Sequence, residues 1–436
     1  MKQSINLAEK IKNRESSVAV IGLGYVGLPL AVTVAKKGFK VIGIDVNKNN
    51  IQRINSGENY IGDVDDSDLV NVVNSGNLIA SNDYSLIKDV DVIAIAVPSP
   101  LDKHHQPDMR YIQSAIDSIV EHLSENTLVV LESTTYPGTT QEVIVPPIEE
   151  KGFVIGKTAY VAFSPERVDP GNKDFKTNNT PKVVGGVTDN CNIVAKAFYE
   201  NVLDSSVYLA SSPVIAEMEK IFENTFRNIN IALVNEMTIL CERMGINFWE
   251  VIDAAKTKPY GFMAFYPGPG VGGHCIPIDP FYLTWKAREY DYHTRMIELA
   301  GEINMGMPEF VLNKASRILN KSGIAISESK ILLLGASYKK DIEDVRESPI
   351  QNLILLLEDW NANFDYYDPW VASFTNHLNN KKYTSTKQAN PQDYDLVIIM
   401  TDHSDFDYQD IVGNAKAVLD TRNAAKNIKS DKITLL

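Results

Sequence analysis

The chain is short of cysteine, of histidine and of basic charge, and each shortage excludes a class of function. Its 436 residues hold three cysteines, at 191, 241 and 275, and seven histidines. An odd number of cysteines at wide spacing suggests neither a disulfide framework nor a paired-cysteine metal site, and no His/Cys cluster points to a metal. That usage reads as a reducing, cytoplasmic compartment. Lys and Arg total 42 against 56 Asp and Glu, a formal charge of −14. Nucleic acid as a partner is thereby disfavoured, since phosphate neutralisation needs clustered cations. A small anion held by a few local cations stays open. No apolar run approaches the roughly 18 residues of a membrane span, and Met1 to Arg14 lacks an apolar signal-peptide core.

What is present is an ordinary globular composition, 44% hydrophobic and 22% charged, on a chain long enough for two or three domains. Short apolar runs recur at Ser17–Gly22, Lys40–Asp45, Asp91–Val97, Thr127–Glu132, Tyr160–Ser164 and Lys182–Gly185. Runs of this kind, separated by amphipathic helical stretches, predict strands buried on both faces and joined by parallel crossovers. From Pro213 to about Cys241 apolar residues fall every three or four positions, predicting one uninterrupted helix of roughly 40 Å. Such a helix spans domains or forms a dimer interface, so a homodimer is expected. A further helical region covers about 280–320, and strands resume at Lys330–Leu334, Asn363–Tyr367, Asp395–Met400 and Ala417–Asp420. The fold class expected is α/β: two Rossmann-like, doubly wound parallel-sheet domains, 1–205 and 321–436, joined by a long helix and a helical domain at 206–320.

GLGYVG at 22–27 lies between a strand and a helix, and Asp45 ends the next strand. Together these form a dinucleotide fingerprint. Gly22 allows the tight turn, Gly24 the close pyrophosphate approach and Gly27 the helix–strand packing. Tyr25 and Val26 complete the turn, and the helix start faces the diphosphate. Asp45 can accept both ribose hydroxyls and repels a 2′-phosphate, which favours NAD over NADP. Arg53 either lies over the adenine or is a solvated arginine on a helix face.

The segment GPGVGGHCIPIDP at 268–280 puts Cys275 among glycines that allow a ligand close to the backbone, with Asp279 four residues on. It suggests a nucleophilic thiol in a substrate pocket. The alternative is a buried structural cysteine, against which Gly270, Gly272 and Gly273 weigh. His274 is adjacent in sequence and points away in an extended segment, so no Cys–His pair is expected. On the long helix Glu217, Lys220, Asn224 and Asn228 share one face. They form either an oxyanion-stabilising set or a solvated polar stripe. Glu166 and Arg167, in SPERVDPG at 164–171, and Ser133 to Thr135 also follow strands, where α/β folds face ligands.

Taken together the chain resembles the UDP-glucose/GDP-mannose dehydrogenase family. The resemblance is carried by GLGYVGLP (22–29), VPSP (97–100), ESTTYPGTT (132–140), SPERVDPG, AEMEKIFENTFRNINIALVNE (216–236), GPGVGGHCIPIDP, YKKDIEDVRESP (338–349) and TDHSDFDY (401–408). It is strongest to the UDP-N-acetylhexosamine branch. It implies a four-electron oxidation of the 6-hydroxymethyl of a UDP-sugar to the uronate, using two NAD, for surface-polysaccharide precursors. UDP-N-acetylglucosamine ranks first as substrate, ahead of the galactosamine and mannosamine epimers and UDP-glucose. A two-electron 3-hydroxyacid-type dehydrogenase and a non-catalytic NAD-binding scaffold are the readings from other classes.

By that resemblance Cys275 captures the aldehyde as a thiohemiacetal that becomes a thioester. Lys220 and Asn224 stabilise the oxyanions, Asp279 assists proton transfer, Glu166 drives hydrolysis and Thr134 holds the water. Pro98, Ser99, Thr134 and Arg346 join the cofactor set. Glu166, Arg167, Lys220, Asn224, Tyr266, Gly272, Gly273, Lys339 and Arg422 form the UDP-sugar set. For Lys339 and Arg346 the plainer reading is a local salt-bridge network with Asp341, Glu343, Asp344 and Glu347. One departure stands out: UDP-glucose dehydrogenases carry an arginine upstream of the cysteine that reaches a neighbouring subunit's sugar, whereas KTKPYGF at 256–262 has none.

Overall fold

The computed structural model describes residues 2–102, 106–169, 171–172, 174–273, 275–387 and 389–436. Two compact units form, Met1–Glu223 with Trp285–Tyr292, and Asn224–Thr284 with His293–Leu436. No helix among the described residues is long and apolar enough to cross a membrane.

The first unit is built on strands β1 (Ser17–Ile21), β2 (Lys40–Ile44), β3 (Leu78–Ser81), β4 (Val92–Ile95), β5 (Thr127–Leu131), β6 (Ala159–Phe163), β7 (Lys182–Gly186) and β8 (Val207–Ala210). They lie in the order β3-β2-β1-β4-β5-β6-β7-β8. Helices α1 (Lys2–Lys12), α2 (Gly27–Lys36), α3 (Lys48–Asn55), α4 (Asp66–Asn74), α5 (Arg110–His122), α6 (Val145–Glu150) and α7 (Asp189–Val202) complete it. The inner strands are dry on both faces, and two apolar clusters sandwich the sheet. That two-sided burial is why these strands read as continuous apolar runs.

The expected strands are found within one or two residues, with β3 and β8 in addition. One expectation is corrected. β7 runs antiparallel to β6, pairing Phe163 with Gly185 and Ala162 with Gly186. Residues 164–181 (SPERVDPGNKDFKTNNTP) are rich in Pro and Asn and supply no crossover helix among the described residues. Without a crossover the chain re-enters the sheet from the end it left. Lys182 therefore stands at the carboxyl edge of β5 and β6.

A 32-residue helix, α8 (Pro213–Met244), follows as expected, about 48 Å long. The second unit adds α9 (Phe248–Ala255), α11 (Arg295–Lys321), α12 (Pro349–Asp359) and α13 (Tyr408–Asn414), while α10 (Asp279–Ala287) lies between α9 and α11. The helical region expected at 280–320 is thus two helices. Asp291, in the left-handed conformation at φ 52°, ends the turn that follows α10. The second sheet comprises β9 (Lys330–Leu334), β10 (Asn363–Tyr367), β13 (Leu396–Ile399), β14 (Val418–Asp420) and β15 (Ile433–Leu435). They run all parallel in the order β10-β9-β13-β14-β15, and β11 (Ser373–Thr375) with β12 (Lys382–Thr384) forms a separate hairpin.

The polar face of α8 is internal, which excludes the solvated reading. Glu217 is 0% exposed, Lys220 7% and Asn228 3%. Glu217 accepts from Gly138 N at 2.6 Å, from Thr140 N at 2.8 Å and from Thr140 Oγ1 at 2.6 Å, fixing the loop after β5. Glu217→Ala would strand three donors in a dry site. It should lower the unfolding free energy in urea by about 3 kcal/mol; a loss under about 0.5 kcal/mol would contradict this anchoring role.

Candidate active site

In the glycine turn after β1, each glycine is required for a different reason. Gly22 has φ +88°, and a Cβ there would lie 2.6 Å from the Ala96 carbonyl oxygen. At Gly27 a Cβ would fall 1.8 Å from the Gly22 oxygen, so α2 could not start against β1. At Gly24 a Cβ would meet nothing within 4 Å. That open space leaves room for a diphosphate to approach the backbone. Tyr25 is exposed, and Val26 caps α2 without a side-chain bond.

Asp45 supports this turn from the end of β2. One carboxylate oxygen accepts Leu23 N and the other Asn47 N, each at 2.8 Å. Each oxygen keeps lone-pair capacity for a ribose hydroxyl. Tyr60, which the sequence reading passed over, donates to the Leu23 carbonyl at 2.6 Å. The Arg53 guanidinium lies 5.1 Å from the Tyr60 ring centre, pairs with Glu58 and donates to the Asn59 carbonyl. Arg53 is thus a half-buried support of the glycine turn rather than a solvated residue.

At the carboxyl edge of the same sheet, the exposed Pro98 precedes Ser99, whose hydroxyl donates to the Thr134 carbonyl at 2.7 Å. Thr134 is half-buried, while the neighbouring Thr135 is fully buried, with no hydrogen-bond partner for its hydroxyl among the described residues. Glu166 Oε1 accepts Arg167 N at 2.7 Å and Val168 N at 2.9 Å. Arg167 reaches α8, where its guanidinium binds Glu223, lies 3.5 Å from Glu219 and donates to the Pro181 carbonyl. It therefore ties its loop to α8. Burial and the neighbouring Glu223 push Glu219 up to about 7.

In the second unit Cys275 is exposed, the most open of the three thiols. Asp279 N donates to the Cys275 carbonyl at 2.8 Å, so cysteine and acid lie one turn apart at the start of α10. Asn224 Nδ2 donates to Asp279 Oδ2 at 2.5 Å, and Asn228 Nδ2 to the Ile276 carbonyl at 3.0 Å. Asn235, fully buried, accepts Gly268 N at 3.0 Å and binds Asn304. Along α8, three asparagines thus fix both ends of the cysteine segment.

The glycines of that segment also let it pack closely against the chain itself. A Cβ at Gly272 would lie 2.5 Å from the Tyr338 Cβ, and one at Gly273 2.9 Å from the Tyr338 ring. Gly268 would meet the Arg422 guanidinium at 2.7 Å, and Gly270 the Pro349 ring at 3.1 Å. The segment is flush against the loops of the second sheet, and only glycine permits that approach. Gly273 N donates to the Arg346 carbonyl at 2.9 Å. The Arg346 guanidinium is forked onto Asp344, at 2.6 and 3.0 Å, as the local salt-bridge reading has it. Lys339 is half-buried. Arg422 donates to the Met400 carbonyl at 2.9 Å, and Tyr266, exposed, stacks on Trp249 at 5.9 Å.

His403, in TDHSDFDY, is another residue the sequence reading left without a role. It is fully buried, accepts Asp341 N on Nδ1 at 2.9 Å and places Nε2 3.0 Å from Asp368. Those partners assign the proton to Nε2 and hold the 338–349 loop. His274 and Pro170, within the quoted motifs, lie outside the described residues.

The comparisons with known proteins bear on this arrangement. The UDP-glucose/GDP-mannose dehydrogenase family's NAD binding domain matches residues 16–203, its central domain 214–306 and its UDP binding domain 332–427. The chain belongs to this family. It is 35% identical over 394 residues to the UDP-N-acetyl-D-glucosamine 6-dehydrogenase of Pseudomonas aeruginosa, covering 90% of this chain and 92% of that one. It is 36% identical over 418 residues to the UDP-N-acetyl-D-mannosamine dehydrogenase of Methanocaldococcus jannaschii, covering 93% and 92%. The solved UDP-D-ManNAc dehydrogenase of Pyrococcus horikoshii superposes with a TM-score of 0.87 at 32% identity, covering 96% of this chain and 98% of that one.

As a member of the UDP-glucose/GDP-mannose dehydrogenase family the chain is an NAD-dependent UDP-sugar dehydrogenase, an oxidoreductase. The open Gly24 and the lone pairs of Asp45 fit the dinucleotide. Gly24→Ala should therefore leave the melting temperature within about 2 °C while weakening NAD binding at least tenfold by calorimetry. Equal affinity in that variant would remove Gly24 from the cofactor site. The raised Glu219 carboxyl makes a second test. Its preference for the proton stabilises the fold below the ordinary carboxylate range and is lost as pH rises through about 7. Glu219→Gln should thus gain on the order of 1 kcal/mol at pH 8 and flatten the stability slope between pH 5 and 8; an unchanged slope would show that the carboxyl titrates normally.

Proposed function

We propose that the enzyme oxidises the 6-hydroxymethyl of a UDP-N-acetylhexosamine, with UDP-N-acetylglucosamine first, to the uronate through covalent intermediates on Cys275. The observation that carries this reading is the assembly of an exposed thiol one turn before Asp279, itself bonded to Asn224. Bound NAD supplies the hydride acceptor for each of the two oxidations. Between them the Cys275 sulfur adds to the aldehyde carbon, giving a thiohemiacetal whose oxidation yields a thioester.

Asn224 donates one amide hydrogen to Asp279 and keeps the other for the developing oxyanion. Lys220, one turn earlier on α8 and 7% exposed, adds positive charge in a dry setting. Asp279 takes up or returns the proton at Cys275. Glu166 accepts a proton from the hydrolytic water, with Thr134 on the same strand edge as its holding hydroxyl. Lys339 and Arg422 are assigned to the diphosphate, and Arg346 to the cofactor.

The same reading divides the chain into an NAD-binding domain at 1–205, a central domain at 206–320 and a UDP-sugar domain at 321–436. It makes the enzyme a cytoplasmic homodimer supplying surface-polysaccharide precursors. Met218, Phe222, Phe226, Leu233 and Leu240 support the dimer, forming an exposed apolar stripe on α8. Among epimers, the loop at 256–262 without an arginine supports an N-acetylated hexose over UDP-glucose.

The deciding measurement is NADH yield across a panel of UDP-sugars. Two NADH per sugar, greatest with UDP-N-acetylglucosamine, is the expected result. One per sugar would replace this chemistry with a simple alcohol dehydrogenase. Cys275→Ser should lose steady-state turnover by at least a thousandfold; full two-step activity in that variant would end the thioester mechanism.

A further inference from the structure

A buried cation at the carboxyl edge of the first sheet has no part in the chemistry above. Lys182, the first residue of β7, is 4% exposed. Its Nζ lies 2.6 Å from Glu132 Oε2, 3.6 Å from Glu166 Oε2 and 5.4 Å from the Tyr199 ring centre. The Tyr199 hydroxyl, fully buried in α7, donates to the other oxygen of Glu132.

Burial alone would strip the proton from such an ammonium. Here Glu132 and Glu166 outweigh burial and hold Lys182 above the ordinary lysine range. Burial pushes the Glu132 carboxyl up, against the pull of Lys182. The line of groups ends at Tyr199 in the core, so it leads no proton to solvent. Its open end is Glu166.

We propose that Lys182 is a positioning residue for Glu166, fixing and charge-balancing its carboxylate for the hydrolysis half of the reaction, with Glu132 and Tyr199 holding Lys182 in turn. This rests on the assignment of Glu166 as the hydrolytic base. One Glu166 oxygen is taken by the Arg167 and Val168 amides and the other faces Lys182, so neither swings freely. The charged groups around that carboxylate are Lys182, Glu132 behind it, and Arg167, whose guanidinium is bound to Glu223.

In the hydrolysis step a water oxygen bonds to the acyl carbon. The carbon–sulfur bond breaks with its electron pair leaving on Cys275. One water proton passes to Glu166 and the other leaves with the carboxylic acid product. Lys182 holds the Glu166 carboxylate in place through that transfer, and Glu132 holds Lys182. Lys182 reaches this place because β7 reverses direction; in a parallel strand its position would fall at the opposite edge.

The test follows acyl-enzyme decay by quenched intact-protein mass across pH. Glu132→Gln keeps shape and removes the opposing charge, so the acidic limb of hydrolysis should move to lower pH by about half a unit. The double variant Glu132→Gln/Lys182→Met removes the buried pair together, which folds tolerate far better than one unpaired charge. It should accumulate acyl-enzyme, slow hydrolysis at least tenfold and move the limb up by about one unit, with KM for the UDP-sugar within threefold. Limbs unmoved in both variants would overturn the proposal and leave a purely structural ion pair. Glu166→Gln separates the two ideas: wild-type hydrolysis there would remove Glu166 itself from the mechanism, whatever the Lys182 variants do.

Discussion

The polar face of α8 is the constraint from which the rest of the site follows. A helix that buries Glu217, Lys220, Asn228 and Asn235 must satisfy each of them. Glu217, Asn228 and Asn235 each bond to the backbone of loops that have no regular structure of their own. Glu217 closes the turn after β5 in the first unit. In the second, Asn224, Asn228 and Asn235 hold Asp279, Ile276 and Gly268, both ends of the cysteine segment. A thiol on an irregular loop would ordinarily wander on the scale that chemistry forbids. Amide side chains on a rigid helix remove that freedom, two of them by fixing backbone atoms and Asn224 by holding the Asp279 carboxylate.

The second consequence concerns glycine. At 22–27 the three glycines provide a turn, an open stretch of backbone and a helix start. At 268–273 similar spacing does something else, letting Tyr338, Arg422 and Pro349 lie against bare backbone. Both patterns look alike as text. Only the atoms that a Cβ would strike tell a ligand cradle from a packing seam.

Much of the fold was legible because its causes are local. Strands such as Lys330–Leu334 are apolar after their first residue since both faces are dry, and α8 shows an unbroken period until Gly245. The glycine turn and Asp45 were legible for the same reason. What escaped depends on chain direction and on distant partners. The reversal of β7 turns on a connection without a helix, and no periodicity announces that. Tyr60 acts on Leu23 from 37 residues away, and His403 on Asp341 from 62. The solvated alternative for the α8 stripe fell for a related reason: its polar residues match those of a surface helix, and only the loops packed on them differ.

Buried charge is the last link. An ion pair such as Glu132–Lys182 seldom repays its desolvation, and an apolar pair of equal volume would serve stability as well. Arg167 with Glu219 and Glu223 forms a half-exposed cluster on the loop that carries Glu166. Both clusters border the carboxyl edge of the first sheet, where α/β folds face ligands. One fixes the loop that carries Glu166 by its arginine, the other fixes Glu166 by its oxygen. Charge buried against the interest of stability beside Glu166 is what the proposed role of that carboxylate would account for.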